Sequence, residues 1–495
     1  MQWGIVLLLV ATAYGQNPGL LASVALSAIE GFKDQALPVF LSQIGDISIP
    51  DQNDQIGSGF FSIDVTLSQI TVSGITADAS NTDLSFSAPN VISVHIAGMQ
   101  ATTTFNWNFN THGVRGGGNG NVQISNTDVY ASIGLGENNG HCTITIDSAS
   151  VNIGNLNINI GGNPLAAVEN WIIGLFNNNL KGTIQSAVGQ AIQQSGQQAI
   201  DQLLAQFGVS VPIGNTGFGV DYDLVVPPEV QPDHITVSSL ALFLAVNNPD
   251  YSPPIAAALP LPAYNPNGDQ IQIAISDYSM NSGLYAAYTS GDLKYTLTPS
   301  MLPSSSPVQL DTTSLDSLFP GIQAAYGAGL PCNVQCVAGA AAPMISTLSG
   351  DVTGTATANC AVMVEGTIQA LGLAIDLAFN ATISLNSWEV KGNVNSAEVT
   401  SVTAYANSIN AAIDTSGLTF MLNMGLGLAV PYLDQTILGP GIQLPHIQNL
   451  DLSNSSVTVG QGYIYIEATP VYQITTPVAP KLETLLPKGL KLVYA

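Results

Sequence analysis

Charge is scarce in this sequence, and positive charge most of all. Only 8% of the 495 residues are charged, with 8 Lys and Arg against 33 Asp and Glu, for a net charge of −25. So few cations cannot neutralise a phosphate backbone, which argues against nucleic-acid binding. The same imbalance weakens attraction to anionic lipid surfaces. Long apolar runs are also missing. The stretch Gly4 to Ala13 is too short to cross a bilayer, and no other segment reaches about 18 apolar residues without a polar interruption. With Ala13-Tyr14-Gly15 as a small-x-small site, residues 1–15 are expected to be a secretory leader, and the mature chain to be secreted and extracellular. Histidines are few and scattered (His95, His112, His141, His234, His446), with no H-x-x-x-H pair, so no metal centre is expected. There is no G-x-S-x-G elbow, no Walker loop and no G-x-G-x-x-G. The segment Gly134 to Gly140 has the wrong spacing for the last of these and reads as a hairpin turn. Asp51 to Gly57 begins like a calcium loop, but Ile56 stands where glycine must turn and Ser62 replaces the bidentate Glu. No enzyme and no cofactor are indicated.

Apolar residues make up 46% of the chain, enough for a large core. From Phe60 to Ile160 they alternate with polar residues almost throughout, with Gly and Asn in the gaps, predicting an antiparallel meander with one wet face. A long apolar stretch before it, with Phe32, Leu37, Phe40 and Leu41 at helical spacing, is interrupted by Pro38, a kink or a boundary. After the meander, Asn163-Pro164 predicts a helix start. Ile172, Phe176, Leu180, Ile184, Val188 and Ile192, spaced by four, carry that helix to about Phe207. Gly182, Gly189 and Gly196 recur along it, each costing roughly 1 kcal/mol relative to Ala. They imply either close packing of helix on sheet or room for acyl chains. Between Val220 and Leu310 lie further alternating segments (Ile271, Ile273, Ile275, then Leu293, Tyr295, Leu297) around a Pro-rich run, and these suggest a sheet shared by two halves. The order then repeats: a helix over Thr313 to Tyr326, strands over Ile345 to Val402, and a helix from near Val402 with Tyr405, Ile409 and Ile413 on one face.

Four cysteines allow three pairings. C-N-V-Q-C has the wrong spacing for a zinc knuckle, so at least one disulfide is expected among Cys332, Cys336 and Cys360. Asn380-Ala-Thr382 and Asn454-Ser-Ser456 are glycosylation candidates. Lys481, Lys488 and Lys491 concentrate positive charge in the 473–495 tail, read as a loose end or a short amphipathic segment.

The chain resembles a known family at several places. Asn17-Pro18-Gly19 is followed at the family distance by Ile47-Ser-Ile-Pro-Asp51. Asp221 to Pro228 reads DYDLVVPP, and ISDYSMNSGLYAAY (Ile275 to Tyr288) precedes LKYTL (Leu293 to Leu297). LPHIQNLDLSNSSVTVGQGYIYIEATPVY occupies Leu444 to Tyr472. These passages are similar to the bactericidal/permeability-increasing and lipopolysaccharide-binding protein family, which includes the phospholipid and cholesteryl ester transfer proteins. The resemblance implies an α+β fold of two tandem barrel-like domains in a boomerang. Each would be a highly curved antiparallel sheet wrapped on a long helix, and a central antiparallel sheet would join them. The corresponding boundaries are 16–219, 220–310 and 311–472. Family members bridge a strand to the long helix of the first half; here Gln193 stands at that helix position, leaving Cys142 without that partner.

The resemblance further implies a secreted lipid-binding or lipid-transfer protein holding phospholipid-like acyl chains, one apolar pocket in each half. Candidate lining residues are Phe32, Leu37, Phe40, Leu175, Phe176 and Leu180, then Leu318, Phe319, Ile322, Tyr405, Ile409, Val430 and Leu433. Each is also readable as core packing, the simpler reading for any one of them. Bound lipid replaces any cofactor, and the partners would be phospholipid or another lipid, with a lipoprotein, membrane or bacterial envelope surface as its source. Lipopolysaccharide binding is the alternative, disfavoured because Asn17 to Pro260 contains only Lys33, Arg115 and Lys181 as bases. An extracellular structural or lipid-storage role is the third reading.

Overall fold

The alternating stretch folds as one antiparallel meander in the structure, a computed structural model. It describes residues 17–205, 210–212, 217–245, 258–302, 308–348, 350–409, 415–433, 441–443 and 450–472. The leader, Pro249, Pro253, Pro254, Ile413 and the 473–495 tail lie outside the described residues, as does the Leu433 side chain.

Strand β1 (Leu20–Ala25) leads into helix α1 (Leu26–Gln43), which continues through Pro38. Strands β2 (Ile47–Ile49), β3 (Gln52–Ile56), β4 (Ile63–Thr76), β5 (Thr82–Ser87), β6 (Val91–Thr111), β7 (Val114–Asn138) and β8 (His141–Ile160) follow. Neighbours in the sheet run β2-β4-β6-β7-β8, with β3 beside β4 and β5 beside β6. The Gly-rich start of β7 has a packing reason. Phe105, Trp107 and Phe109 on β6 stand opposite Gly120, Gly118 and Gly116. A Cβ at Gly120 or Gly116 would run into the Phe105 or Phe109 ring. The buried aromatics therefore lie across backbone that carries no side chain.

The helix that follows is α2 (Ala166–Leu175), a single π turn (Phe176–Leu180) and α3 (Lys181–Leu204) in unbroken succession. It begins three residues beyond the expected cap at Asn163, because Leu165 is still extended and no side chain caps the first turn. Sheet edge β8 meets α3 through glutamine side chains. Gln185 Nε2 donates to the Val151 carbonyl at 2.7 Å, and Gln193 Nε2 to that of Asp147 at 3.3 Å. Gln197 both donates to the Ile144 carbonyl and accepts from the Ile146 N–H, each at 2.8 Å. These amides satisfy edge backbone groups that would otherwise stay open.

The stretch from Val220 to Leu310 is divided among three sheets. Strands β9 (Ser210–Pro212), β10 (Phe218–Asp221) and, later, β13 (Leu242–Ala245) form a small sheet of their own. Between them lie β11 (Glu229–Val230) and β12 (His234–Ser239); β14 (Ile271–Ser276), α4 (Asp277–Ser290) and β15 (Lys294–Leu297) follow. Helix α4 occupies the DYSMNSGLYAAY text, with Ser276 Oγ accepting from the Ser279 N–H and Gly291 ending it at φ 74°. Strand β15 joins the second-half sheet, so the Leu293–Leu297 alternation does not enter the central one.

In the second half the expected Thr313–Tyr326 helix is two short ones, α5 (Thr312–Leu315) and α6 (Ile322–Tyr326). Pro320 and Gly321 (φ 100°) break it, and Asp316 Oδ1 accepts the Gly321 and Gln323 N–H groups at 3.0 Å each. Strands β16 (Cys332–Ala338), β17 (Met344–Leu348), β18 (Asp351–Val364), β19 (Ile368–Asn386) and β20 (Glu389–Asn407) form the second meander. The helix expected from Val402 is strand as far as Asn407, paired with β19, and helix α7 begins only at Thr415 and runs to Leu433. Last come β21 (Ile442–Gln443), which pairs with β20, β22 (Leu450–Gly460) and β23 (Tyr463–Tyr472).

The central sheet runs β11-β12-β1-β14-β23-β22. It thus draws strands from both ends of the described chain and is not confined to 220–310. Its spine, β14, is buried on both faces. Gln272 is tolerated there because its amide donates to the Asn265 and Asp269 carbonyls and accepts from Tyr465 Oη at 2.6 Å.

Cys336 and Cys360, directly opposed on β16 and β18, form the disulfide; Cys142 and Cys332 are free thiols. Alkylation of the denatured, unreduced protein should therefore label two thiols. Opening the 24-residue Cys336–Cys360 loop by paired serine substitution should cost about 3 kcal/mol in denaturant unfolding. Gln197→Ala leaves an edge N–H and carbonyl unpaired and should lower stability by about 1–3 kcal/mol in the same assay.

Candidate functional site

Each half presses an apolar helix face against its meander. In the first half Leu37, Phe176 and Leu180 are buried in one core with Leu67, Phe105 and Ile153. The Phe105 and Phe176 rings meet at 5.1 Å between centroids. Phe40 and Leu175 are half-buried against that core, and Phe32 is half-buried on α1. A second cluster joins the meander to the central sheet: Phe86, Leu135, Val230 and Ile235, with Leu26 and Ile29 packed on it. No local pattern links these six, since they come from α1, β5, β7, β11 and β12.

In the second half Phe319 and Ile322 are buried beside Leu371 and Leu373, and Leu318 and Ile409 pack against them. Helix α7 turns the stripe Leu418, Leu422 and Leu426 to this core, with Val430 half-buried next in the spacing. Asn423 Oδ1 accepts the Val399 N–H at 2.8 Å and pins the helix to β20. Phe420 and Met424, on the other side of α7, are exposed. Tyr405 is the residue the sequence misplaced. On a strand rather than a helix, it is 55% exposed, and its ring occupies the space a side chain at Gly372 would need.

The three helix glycines differ in their surroundings. A Cβ at Gly189 would stand 3.0 Å from the Ala149 carbonyl, and one at Gly196 would stand 2.8 Å from the Phe40 ring and from Ile146. Gly182 has nothing near it. It borders an open groove of about 710 Å³ between Ser48–Pro50 and the Asn179–Gln190 side of the helix. A second cavity, of about 760 Å³, lies on the outer face of the meander. None of the candidate lipid-contact residues lines either one. Of the two sequons, Asn454 is exposed at a bulge of β22 with φ 51°, and Asn380 is half-buried in mid-strand on β19.

Charge does little in either half. Among the described residues, Lys391–Glu389 at 2.9 Å is the one ion pair between a lysine or arginine and a carboxylate. Lys33 Nζ donates to the Thr82 carbonyl at 2.5 Å, so one of the three first-half cations is already engaged. The acids of the calcium-like segment are engaged too. Asp51 accepts from the Gln69 N–H at 3.2 Å, and Asp54 accepts from Trp171 Nε1 at 2.9 Å. The Trp171 bond, then the Gln55 N–H, hold the Asp54 carboxyl below its ordinary range. Asp223 is shifted the other way. Its carboxyl lies against Gly140 at the β7–β8 turn. There burial and then Asp221 raise its pKa, with Glu137 adding and His141 opposing.

Family models match most of the chain: the LBP / BPI / CETP family N-terminal domain over residues 32–195 and its C-terminal domain over residues 214–472. The chain belongs to the LBP/BPI/CETP family. Lipopolysaccharide-binding protein of Homo sapiens is 23% identical over 336 residues, 65% of this chain and 66% of that one. The match thus spans just under two thirds of that relative's length. Bactericidal permeability-increasing protein of Sebastes schlegelii is 20% identical over 476 residues, covering 94% of this chain and 97% of the relative. Phospholipid transfer protein of Mus musculus is 19% identical over 318 residues, 64% of this chain and 62% of the relative. A crystal structure of lipopolysaccharide binding protein superposes with a TM-score of 0.58 at 18% identity, over 92% of this chain and 100% of the other, which establishes the shared fold.

The raised Asp223 yields a prediction with a definite sign. The fold favours its neutral form, so that stabilising contribution is full below the ordinary value of 3.8 and is lost as pH rises through the raised value. Asp223→Asn should therefore melt above the parent at pH 7, with the gap closing below about pH 3.8.

Proposed function

We propose that this protein binds and carries neutral or zwitterionic lipid, held by the apolar helix and sheet faces of its two halves. The observation that carries the reading is the pairing, in both halves, of an apolar helix stripe with a curved meander, in a chain with only 8 Lys and Arg against 33 Asp and Glu. Acyl chains need little else: each buried CH2 gains about 0.8 kcal/mol, with few polar contacts required. Half-buried Phe32, Phe40 and Leu175, together with the Leu26–Ile29 cluster at the central sheet, are the side chains we assign to lipid contact in the first half. Leu318, Ile409, Leu422, Leu426 and Val430 are their counterparts in the second. The protein acts outside the cell as a carrier rather than a catalyst, and bound lipid takes the place of a cofactor.

Binding of lipopolysaccharide is the second reading, favoured by the names of several relatives. Its phosphates call for clustered Lys or Arg. Here the first half offers Arg115 at a hairpin tip and Lys181 on the long helix, far apart in sequence and outnumbered by acids. Repulsion from the net charge of −25 adds to the deficit and is screened over about 8 Å at physiological ionic strength.

Mass spectrometry of lipid extracted from the purified protein, with titrations of phosphatidylcholine vesicles and of lipopolysaccharide at low and physiological salt, separates the two. Co-purifying neutral or zwitterionic lipid and salt-insensitive uptake from vesicles are expected. Submicromolar lipopolysaccharide binding that persists at physiological salt, with no lipid co-purifying, would overturn the proposal.

A further inference from the structure

A band of rows across the outer face of the first-half meander is polar and uncharged. One row of cross-strand neighbours reads Ser48, Thr71, Thr104, Asn121 and Asn159, one residue from each of β2, β4, β6, β7 and β8. Beside it Asn106 stands opposite Asn119. Gln69, at a bulge of β4, reaches the same row and accepts from Asn106 Nδ2 at 2.6 Å. The next row in the other direction is Ser73, Thr102, Gln123 and Asn157. All are hydroxyls or amides, exposed or half-exposed, while their strand neighbours Val72 and Val122 are buried inward.

The first two rows bound the cavity of about 760 Å³. No charged side chain lines it, and its only apolar side chain, Phe105, is buried. Gly161 in its floor carries no side chain to fill it. Thr104, Asn119, Asn121 and Asn159 make no side-chain hydrogen bond to any described residue, so their donors and acceptors are open to a ligand.

We propose that this cavity binds a neutral oligosaccharide. A carboxylate or phosphate would find no cation there, in a chain of net charge −25, and a cation would find no carboxylate. An acyl chain would cover several amides and leave them unpaired. A neutral chain of hydroxyls fits: each amide offers a donor and an acceptor side by side, each hydroxyl offers both, and the sheet repeats them at about 4.8 Å across the strands. The site is separate from the apolar faces assigned to lipid, on the opposite side of the same sheet, and does not depend on that reading.

The experiment is calorimetric titration of the full chain with a panel of neutral oligosaccharides (maltoheptaose, laminarihexaose, mannohexaose, chitohexaose) and with a sulfated heparin oligosaccharide as the charged probe. Asn121→Ala/Asn159→Ala is titrated alongside the parent, with circular dichroism and melting temperature as the fold control. At least one neutral oligosaccharide should bind, insensitive to salt, and the double variant should weaken it by about tenfold or more with its melting temperature unchanged. The variant Asn119→Ala, one row away, should weaken the same ligand. Failure of all four neutral probes at millimolar concentration, unchanged affinity in the double variant, or tighter binding of the sulfated probe would overturn the proposal.

Discussion

The first half is held together at one seam, where glutamines of the long helix bond to the open edge of the meander. A curved sheet that ends in a bare edge strand leaves a row of N–H and C=O groups unpaired. Here Gln185, Gln193 and Gln197, all on one side of α3, take that row in hand along β8 from Val151 to Ile144. Gly189 and Gly196 let the helix come close enough for those side chains to reach, since a Cβ at either would press on β8 or α1. The apolar stripe of Ile184, Val188 and Ile192 is thereby locked into the sheet's concavity, and Phe176 is set against Phe105. The resemblance places Gln193 where family members carry the helix cysteine of a disulfide, so no such bridge was expected across this seam. In its place Gln193 reaches the Asp147 carbonyl, and a ladder of neutral hydrogen bonds does the work of one covalent link.

Neutral polar chemistry recurs wherever another protein would use charge. With one Lys–carboxylate pair among the described residues, the folded chain relies on amides and hydroxyls. Asn423 fixes α7, Gln272 fills the buried spine of the central sheet, and rows of Asn and Thr cover the outer face of the meander. Such contacts are insensitive to salt, and they leave the net charge of −25 uncompensated at the surface. A surface of that sign repels clustered anionic groups over about 8 Å at physiological ionic strength.

The two halves are tied by chain crossing as well as by sequence order. The central sheet places β1, from the start of the described chain, beside β14 from its middle, and β14 beside β23 from its end. Phe86 and Leu135 of the meander close on Val230 and Ile235 of this sheet, with α1 alongside. The packing of the first half thus runs on into residues that belong to the junction.

What the sequence alone determined are the features written in local periodicity. The meander from Ile63 to Ile160, the helix through Phe176 and Leu180, the apolar faces with Leu37 and Phe319, and the shortage of cations are all legible from residue spacing and composition. Strand alternation and four-residue helix spacing impose their own geometry whatever lies elsewhere. Tertiary structure decided the rest. Tyr405 and Val402 sit at helical spacing from Ile409, yet the pairing of Val402, Ala404 and Ala406 with β19 keeps the segment in a strand, with Tyr405 at a bulge, because ladder bonds along a long neighbour outweigh a weak helical preference. Leu293 to Leu297 alternates like a central strand but pairs with β16. The disulfide fell to Cys360 rather than Cys332 because strand register, which no spacing reveals, set it directly opposite Cys336. The Asn and Thr rows became a surface for the same reason: Ser48, Thr71, Thr104, Asn121 and Asn159 are scattered along the chain, and only the register of five strands makes them neighbours.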